Sequence, residues 1–257
     1  MRWVKLKAIF LTDRGKVRDY NEDSGGYFYN DFDQLLAIIA DGMGGHQAGD
    51  VASEMAVDIV KRKWQQVNKI VSPETAELWI KAILDEINHQ IYEHASKKEE
   101  YHGMGTTAVI AICTNDFITI GHIGDSRCYV NNANGFQQLT EDHSLVNELV
   151  KSGQISTEDA EHHPRKNIVL KALGTEETVR ADIKSLSWEK GNQLLLASDG
   201  LTDKISNEEL AEFLNEDEEL ENIGTQMIQM ANERGGEDNI SLIVIKHTQK
   251  EVGDASC

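Results

Sequence analysis

The sequence predicts an α+β fold, in which runs of antiparallel-looking strands alternate with pairs of helices. Two observations indicate strands: some short segments alternate between apolar and polar residues, and others are continuously apolar. A third observation indicates helices, because longer stretches carry apolar residues at the helical period of 3.6 residues. The helices come in pairs between groups of strands, and this order disfavours a βαβ alternation.

The first predicted elements are a strand, a second strand and a pair of helices. Residues 4–12 alternate like a half-buried strand, and the apolar run 35–40 ends abruptly at Asp41 and Gly42, as a buried strand that meets a turn would. Apolar residues recur at helical spacing from Asp50 to Trp64. Residues 73–94 repeat that period, and Pro73 is well placed as an early helix residue.

The remainder of the chain begins and ends with strands. Strands are predicted at residues 106–113, 117–123, 127–130, 136–139, 179–188, 193–197 and 240–246. Asn134 and Gly135 are a hairpin signal before the fourth of these strands. Helices are predicted at residues 142–151, 207–214 and 219–234. Since no linker or repeat interrupts these elements, we expect one continuous domain.

Composition and charge exclude several classes of function. The chain has 257 residues and a formal net charge of −19, which disfavours nucleic acid as a partner. Its longest apolar runs are far shorter than the roughly 20 residues that span a bilayer, so we expect no membrane insertion. The three cysteines, Cys113, Cys128 and Cys257, are an odd number without a Cys-x-x-Cys pair. This usage is typical of reduced thiols and predicts a cytoplasmic protein.

Aspartates fall at the ends of predicted strands. Asp41 and Asp199 each close one, Asp125 follows another, and Asp238 precedes the last. A carboxylate at the mouth of an apolar sheet is costly unless its charge is compensated. Mg²⁺ and Mn²⁺ are natural compensators, because they bind carboxylate and carbonyl oxygens. The alternative for each aspartate taken singly is that it caps a turn.

Six motifs in one order carry a family resemblance. Residues 12–23 (TDRGKVRDYNED) resemble the opening motif of the type 2C, metal-dependent serine/threonine protein phosphatases, and residues 41–46 (DGMGGH) resemble the second motif in its bacterial form. The other four are GMGTT at 103–107, GDSR at 124–127, SDGLTD at 198–203 and DNIS at 238–241. The similarity runs from about Leu11 to Ile245, and the members it resembles most are bacterial phosphatases that oppose a Ser/Thr kinase.

The resemblance implies a four-layer αββα sandwich: two packed antiparallel sheets, helix pairs on both outer faces and a binuclear metal site at one edge. It implies a single phosphatase domain at residues 1–247, with a mobile flap at about 141–168. The charged stretch 162–166 within that flap is a candidate contact for a phosphopeptide, with a plain solvated loop as the alternative. Residues 248–257 are expected to be a polar C-terminal tail.

The resemblance also implies roles for individual residues. Asp41 would bridge two ions, the Gly42 carbonyl would complete one site, and Asp199 with Asp238 would hold the other. Asp125 would help to hold a third, weaker ion. Glu22 and Asp23 would act through metal-bound waters, and Arg18 would bind the substrate phosphate. A guanidinium suits that last role because it grips phosphate with two parallel hydrogen bonds.

The proton donor for the leaving alkoxide stays open. Some members of the family carry a candidate acid, a histidine, directly after the Asp-Gly pair, where this chain has Met43. The nearest imidazole is His46, so the acid is either His46 or a metal-bound water. The other histidines, among them His143, His162 and His163, are expected on the surface.

The sequence thus predicts hydrolysis of phosphoserine and phosphothreonine in proteins by a metal-bridging water that attacks phosphorus in line. Two cations about 3.5–4 Å apart activate such a water and neutralise the phosphate oxygens. We expect two core Mn²⁺ or Mg²⁺ ions and a weaker third, with phosphorylated proteins and a cognate Ser/Thr kinase as partners of a monomer. The alternatives are a catalytically inactive scaffold that binds phosphoproteins and a two-metal phosphoesterase that acts on nucleotides.

Overall fold

The computed structural model describes residues 4–44, 48–97 and 99–249. Its strands are β1 (Val4–Asp13), β2 (Asp23–Tyr29), β3 (Leu35–Met43), β4 (Gly105–Thr106), β5 (Ala108–Cys113), β6 (Phe117–Ile123), β7 (Arg127–Asn132), β8 (Gly135–Gln138), β9 (Asp182–Ser187), β10 (Gln193–Ala197) and β11 (Ile240–Gln249). Its helices are α1 (Ala48–Trp64), α2 (Pro73–Ala95), α3 (Leu145–Lys151), α4 (Thr157–Glu161), α5 (Asp199–Thr202), α6 (Asn207–Asn215) and α7 (Leu220–Glu233), with a 3₁₀ turn at Glu99–Tyr101.

The strands form two antiparallel sheets. One has the order β1-β11-β10-β7-β8, and the other has the order β2-β3-β5-β6-β9, with β4 beside β3. Consecutive strands such as β5 and β6 pair through short turns, but β1 and β11 pair across the whole length of the chain. The predicted α+β class of two packed antiparallel sheets is confirmed.

Alternation along the strands divides the interior into three apolar layers. In β3, Leu35, Ala37 and Ile39 face the space between the sheets, whereas the residues between them face α1 and α2. In the other sheet, Leu196 faces inward and Leu195 packs against α6 and α7. Because both faces of β3 and β10 are covered, the sequences of these strands are continuous runs of apolar residues. The four layers are therefore αββα, as the resemblance implied.

Helix α2 begins where its sequence signals place it. The Ser72 hydroxyl caps the helix by accepting from the Thr75 backbone N–H, and Pro73 follows as the first helical residue. The flap segment, residues 141–168, runs between β8 and β9 and contains α3 and α4. None of the helices in the described ranges is both long and apolar enough to cross a membrane.

Strand β2 was not predicted, and β3 and β11 are longer than predicted. β3 does not turn at Asp41 and Gly42 but continues to Met43 and pairs there with β4. β2 contains Gly25 and Gly26, which weaken the strand signal, yet a side chain at Gly25 would overlap the Phe10 ring that packs there. β11 extends past the predicted residue 246 to Gln249, so that Thr248 and Gln249 pair with β1 and are not part of the predicted tail, 248–257. Residues 250–257, including Cys257, lie outside the described part of the chain.

Candidate functional site

One end of the space between the sheets is polar. The inward faces of five strands are apolar as far as Ile39, Val109, Cys128, Leu196 and Ile243. Two residues further toward one end, the same faces carry Asp41, Thr107, Ser126, Ser198 and Ser241. Because side chains alternate along a strand, the register that builds the core also places these five polar side chains at its edge.

Hydroxyl groups at this edge tie the two sheets together. The Ser198 hydroxyl donates to Asp23 Oδ2 at 2.7 Å, and the hydroxyls of Thr107 and Ser126 lie 2.7 Å apart. Asp23 is the register partner of Asp41 across β2 and β3, so the two carboxylates project from neighbouring positions on one face. The sequence analysis gave these hydroxyl residues no role, although they lie within the quoted motifs and the loss of apolar character at alternate positions marks them.

The backbone of Asp41 is fixed while its side chain remains available. Its N–H donates to Thr107 Oγ1 at 3.1 Å, and its carbonyl accepts from the Thr107 N–H at 2.8 Å and from the Thr106 hydroxyl at 2.9 Å. Burial raises the pKa of Asp41 well above its usual value, and the charges of four other aspartates raise it further, with Asp23 and Asp199 first among them. Asp41 therefore lies in the negative electrostatic potential of several neighbouring carboxylates.

Asp199 and Asp125 belong to the other sheet and its connections, and their charges add to the same negative electrostatic potential. Asp199 is the first residue of α5, and only Ser198 separates it from β10. Burial is the largest cause that raises the pKa of Asp199 well above its usual value, and the charges of Asp125 and Asp238 raise it further. Burial likewise raises the pKa of Asp125 to about 6, with Asp142 as the next cause. Five predicted or implied carboxylates, those of Asp23, Asp41, Asp125, Asp199 and Asp238, thus repel one another at one end of the sandwich.

Gly42 lies where two backbones cross. A Cβ atom at Gly42 would overlap the carbonyl of Gly49 at the start of α1 and would lie 2.6 Å from the carbonyl oxygen of Glu22. The Gly42 N–H donates to that same Glu22 carbonyl at 3.0 Å. Burial is the main cause that raises the pKa of Glu22, and the Arg18 charge opposes it. Only glycine permits this approach, which brings Glu22 beside the end of β3.

Arg18 lies on the loop of residues 14–22, which joins β1 to β2, and it pairs with Asp238. Its guanidinium donates to Asp238 Oδ2 at 2.6 Å, and the two side chains are 46% and 29% exposed. Burial alone would lower the pKa of Arg18, but Asp238, followed by Glu22 and Asp41, raises it above its usual value. The predicted phosphate-binding residue is therefore next to the carboxylates and partly open to solvent.

The chemistry of these carboxylates suits a divalent cation. Within residues 4–44, 48–97 and 99–249, no three acidic, imidazole or thiol groups are close enough together to form a ready cage. However, Asp23 Oδ1 and Asp199 Oδ1 are buried and have no hydrogen-bond partner in this part of the chain. Buried oxygen atoms without partners, in groups whose pKa is raised by burial and further by neighbouring carboxylates, fit a hard cation that binds oxygen.

A cavity of about 910 Å³ separates the flap segment from α5 and α6. Asp125 and Asp199 line it, as does Lys166 of the flap segment. Lys166 Nζ lies 2.6 Å from Asp203 Oδ2, so one ion pair joins the flap segment to the end of α5. The predicted peptide-contact stretch, residues 162–166, thus contributes one cation to the wall of this cavity.

The histidine predictions had mixed outcomes. His46 lies outside the described residues. The expectation of a surface position for His143 is wrong, because it is only 7% exposed and stacks on His122 with 4.6 Å between ring centroids. Its Nδ1 accepts from the Gly124 N–H at 3.1 Å, which ties the start of the flap segment to the turn before Asp125.

Comparisons with known proteins identify the family of this chain. The family model for protein phosphatase 2C matches residues 15–243. The serine/threonine phosphatase stp of Listeria welshimeri is 44% identical over 252 residues, which are 98% of this chain and 100% of that protein. The crystal structure of serine/threonine phosphatase Stp1 from Staphylococcus aureus has a TM-score of 0.89 and 40% identity, and the alignment covers 94% of each chain.

A further solved structure is the catalytic domain of the serine/threonine protein phosphatase PstP in complex with two manganese ions. Its TM-score is 0.84 and its identity 29%, over 96% of this chain and 100% of that one. The family model and the relatives cover nearly the whole chain, including the loop of Arg18 and the ends of β3 and β10. The chain therefore belongs to the protein phosphatase 2C family.

Proposed function

We propose that this chain removes phosphate from phosphoserine and phosphothreonine residues of proteins with the help of two Mn²⁺ or Mg²⁺ ions. One observation carries the proposal: five mutually repelling aspartates line one end of the sandwich beside a partly exposed arginine. Such a set of oxygen donors is stable when cations offset its charge, and the adjacent guanidinium adds a site for an anion. Family membership and the manganese ions in the PstP structure support this proposal.

The residues assigned to the ions are Asp41, the Gly42 carbonyl, Asp199 and Asp238, and Asp125 is assigned to a weaker third ion. Glu22 on the loop and Asp23 on β2 are assigned to water-mediated contacts with these ions. Paired divalent cations supply an activated water for in-line attack and neutralise the phosphate oxygens. The contribution of the protein is to bring the carboxylates to one end of the sandwich, with Asp23 and Asp41 placed there by strand register.

Arg18 is assigned to the substrate phosphate. Among the described carboxylates, only that of Asp238 lies within ion-pair distance of the Arg18 guanidinium. A phosphate group would compete with Asp238 for this guanidinium, because a doubly charged anion accepts two parallel hydrogen bonds from it. The exchange would leave Asp238 free to act as a ligand. His46 remains the candidate proton donor to the leaving alkoxide, with a bound water as the alternative.

We further propose that the protein works in the cytoplasm as a monomer and opposes a Ser/Thr kinase. Cys113 and Cys128 support the location, since both are buried free thiols in the apolar space between the sheets. The net charge of −19 favours phosphoproteins over long polyanions as substrates. The names of the relatives, which are bacterial serine/threonine phosphatases, support the substrate class.

The test is turnover of a phosphothreonine peptide with Mn²⁺ and with EDTA. Wild type should be active only with the metal, and Asp41→Ala, Asp199→Ala and Asp238→Ala should each lose activity toward both the peptide and a small aryl phosphate. Asp58→Ala, which removes an exposed carboxylate from α1, is the matched control and should keep full activity. Turnover by Asp238→Ala would remove that ligand from the assignment. A wild type that cleaves a cyclic dinucleotide but not the peptide would favour the nucleotide alternative.

A further inference from the structure

The loop of residues 14–22 has neither helix nor strand, so its backbone groups need partners elsewhere. The N–H groups of Lys16 and Val17 both donate to the Gly236 carbonyl, at 2.7 and 3.2 Å. These two bonds hold the middle of the loop. Its two ends are held differently, and Arg18 lies between them.

A single side chain, that of Asn239, binds both ends of this loop. Its Nδ2 donates to the Arg14 carbonyl and to the Tyr20 carbonyl, each at 2.9 Å. Its Oδ1 accepts from the Glu22 N–H at 2.8 Å. Asn239 is 4% exposed, and both its donor hydrogens and its acceptor are engaged. Because Arg14 and Tyr20 are six residues apart, the one amide closes the loop around Arg18.

Asn239 also acts on the partner of Arg18. Its own backbone N–H donates to Asp238 Oδ1 at 2.8 Å, while Arg18 donates to Oδ2 of the same carboxylate. The guanidinium and the carboxylate are therefore placed by one residue, through its side chain on one side and its backbone on the other. Removal of the side chain would take the partner from three backbone groups, the carbonyls of Arg14 and Tyr20 and the N–H of Glu22, and would open the loop.

We propose that Asn239 is a positioning residue that holds Arg18 in place for the substrate phosphate. The inference rests on the proposed phosphate role of Arg18. Misplacement of a binding group by about 1 Å is enough to cost on the order of a hundredfold in rate. A guanidinium on an open loop must also be ordered again each time that phosphate binds, and this ordering opposes binding. The effect should appear mainly in the KM for phosphorylated substrates.

Asn88 provides a matched control. It is 3% exposed, and its Nδ2 donates to the carbonyls of Glu176 and Glu177 while its Oδ1 accepts from the Gly174 N–H. It therefore makes the same three bonds to a different loop, whose residues have no assigned role in binding metal or phosphate. Asn88→Ala should reproduce the loss of stability that comes from three broken bonds, without the effect on Arg18.

The decisive experiment is a double-mutant cycle with a phosphothreonine peptide and Mn²⁺. Asn239→Ala should raise KM at least about tenfold in the wild-type background but less than about twofold in the Arg18→Ala background, because coupled residues are non-additive. Asn88→Ala should leave KM within about twofold in both backgrounds. An equal rise of KM in both backgrounds would overturn the inference. If Arg18→Ala itself leaves the kinetics unchanged, the proposed phosphate role fails and takes the inference with it.

A second measurement requires neither metal nor turnover. Trypsin cleaves after Arg14, Lys16 and Arg18, so digestion of the native protein in EDTA reports opening of the loop. Asn239→Ala should be cut there at least about tenfold faster than wild type, and Asn88→Ala should not. If Asn239→Ala folds too poorly to be assayed, the isosteric Asn239→Asp, which loses both donor hydrogens, takes its place. Equal cleavage rates in wild type and the variant would overturn the inference even if the enzyme proves active.

Discussion

Replacement of Asp23 by asparagine should stabilise the metal-free protein, and more strongly at pH 7.5 than at pH 5. Asp23 is 7% exposed, and its Oδ1 has no partner among the described residues while Oδ2 accepts from Ser198. Burial raises its pKa from 3.8 to about 6, although the neighbouring hydroxyls of Ser241 and Ser198 oppose the shift. Asparagine has the same shape but carries no charge, so it removes the cost of an ionised group at this position.

The magnitude follows from the two pKa values. Between 3.8 and about 6 the native state binds more protons than the unfolded state, so wild-type stability falls as pH rises through this range. For a single carboxyl with these values, the loss between pH 5 and pH 7.5 is about 1.4 kcal/mol. Asparagine does not titrate, so the advantage of Asp23→Asn over wild type should grow by this amount. In a protein of this size, that corresponds to roughly 3–6 °C in Tm.

The assay is urea or thermal unfolding of both proteins in EDTA at the two pH values. Titrations that Asp23 does not influence cancel in the difference between the proteins, including that of His122, whose pKa is lowered by burial to about 4 and which acts in the opposite direction. Asp41 does not cancel, because the Asp23 charge raises its pKa, and its smaller shift in Asp23→Asn adds to the expected difference in the same direction. Asp58→Asn, at an exposed position on α1, should differ from wild type by less than about 0.5 kcal/mol at either pH. The reasoning is refuted if the difference between Asp23→Asn and wild type is constant or shrinks toward pH 7.5.

Two further predictions concern the crossing at Gly42 and the flap segment. Gly42→Ala should lower the free energy of unfolding by about 1–3 kcal/mol, because its Cβ would overlap the Gly49 carbonyl, and an unchanged Tm would contradict the proposed close approach. Lys166→Ala, which removes the ion pair with Asp203, should change stability by less than about 1 kcal/mol. It should raise KM for a phosphopeptide more than for a small aryl phosphate, and equal effects on both substrates would exclude contact between the flap segment and the peptide.

Elements buried on both faces were predictable because their composition is unambiguous. β6 and β10 have the predicted boundaries, and the continuous apolar residues of β3 reflect its central position between two cores. β2 was missed for the opposite reason. It is an edge strand whose pairs of glycine and aromatic residues serve local packing, so neither alternation nor an apolar run marks it. Strand prediction therefore failed where tertiary packing, and not sequence pattern, determines the structure.

The candidate site was predictable only in part. Strand ends and motif order singled out Asp41, Asp125, Asp199 and Asp238 one by one, but their proximity depends on how the two sheets pack. The hydrogen bond between Asp23 and Ser198 joins residues 175 positions apart, a distance that no local pattern spans. His143 was misjudged for a related reason. It was predicted within a helix at 142–151, but α3 begins only at Leu145, and the fold brings His143 against His122.

The aspartates of the site and Arg18 are held in place by different means, and this difference has a chemical consequence. Asp23 and Asp41 are fixed by strand register, which costs several backbone hydrogen bonds to change. Arg18 lies on a loop that is held by hydrogen bonds and not by strand pairing, with the Asn239 amide joining its two ends, so its guanidinium can move without any change in the sheets. A phosphate that draws Arg18 away from Asp238 would return one negative charge to a group of carboxylates that already repel one another. Loss of this ion pair would therefore increase the demand for a cation at the moment when the anionic substrate arrives, so that binding of phosphate and binding of metal should reinforce each other.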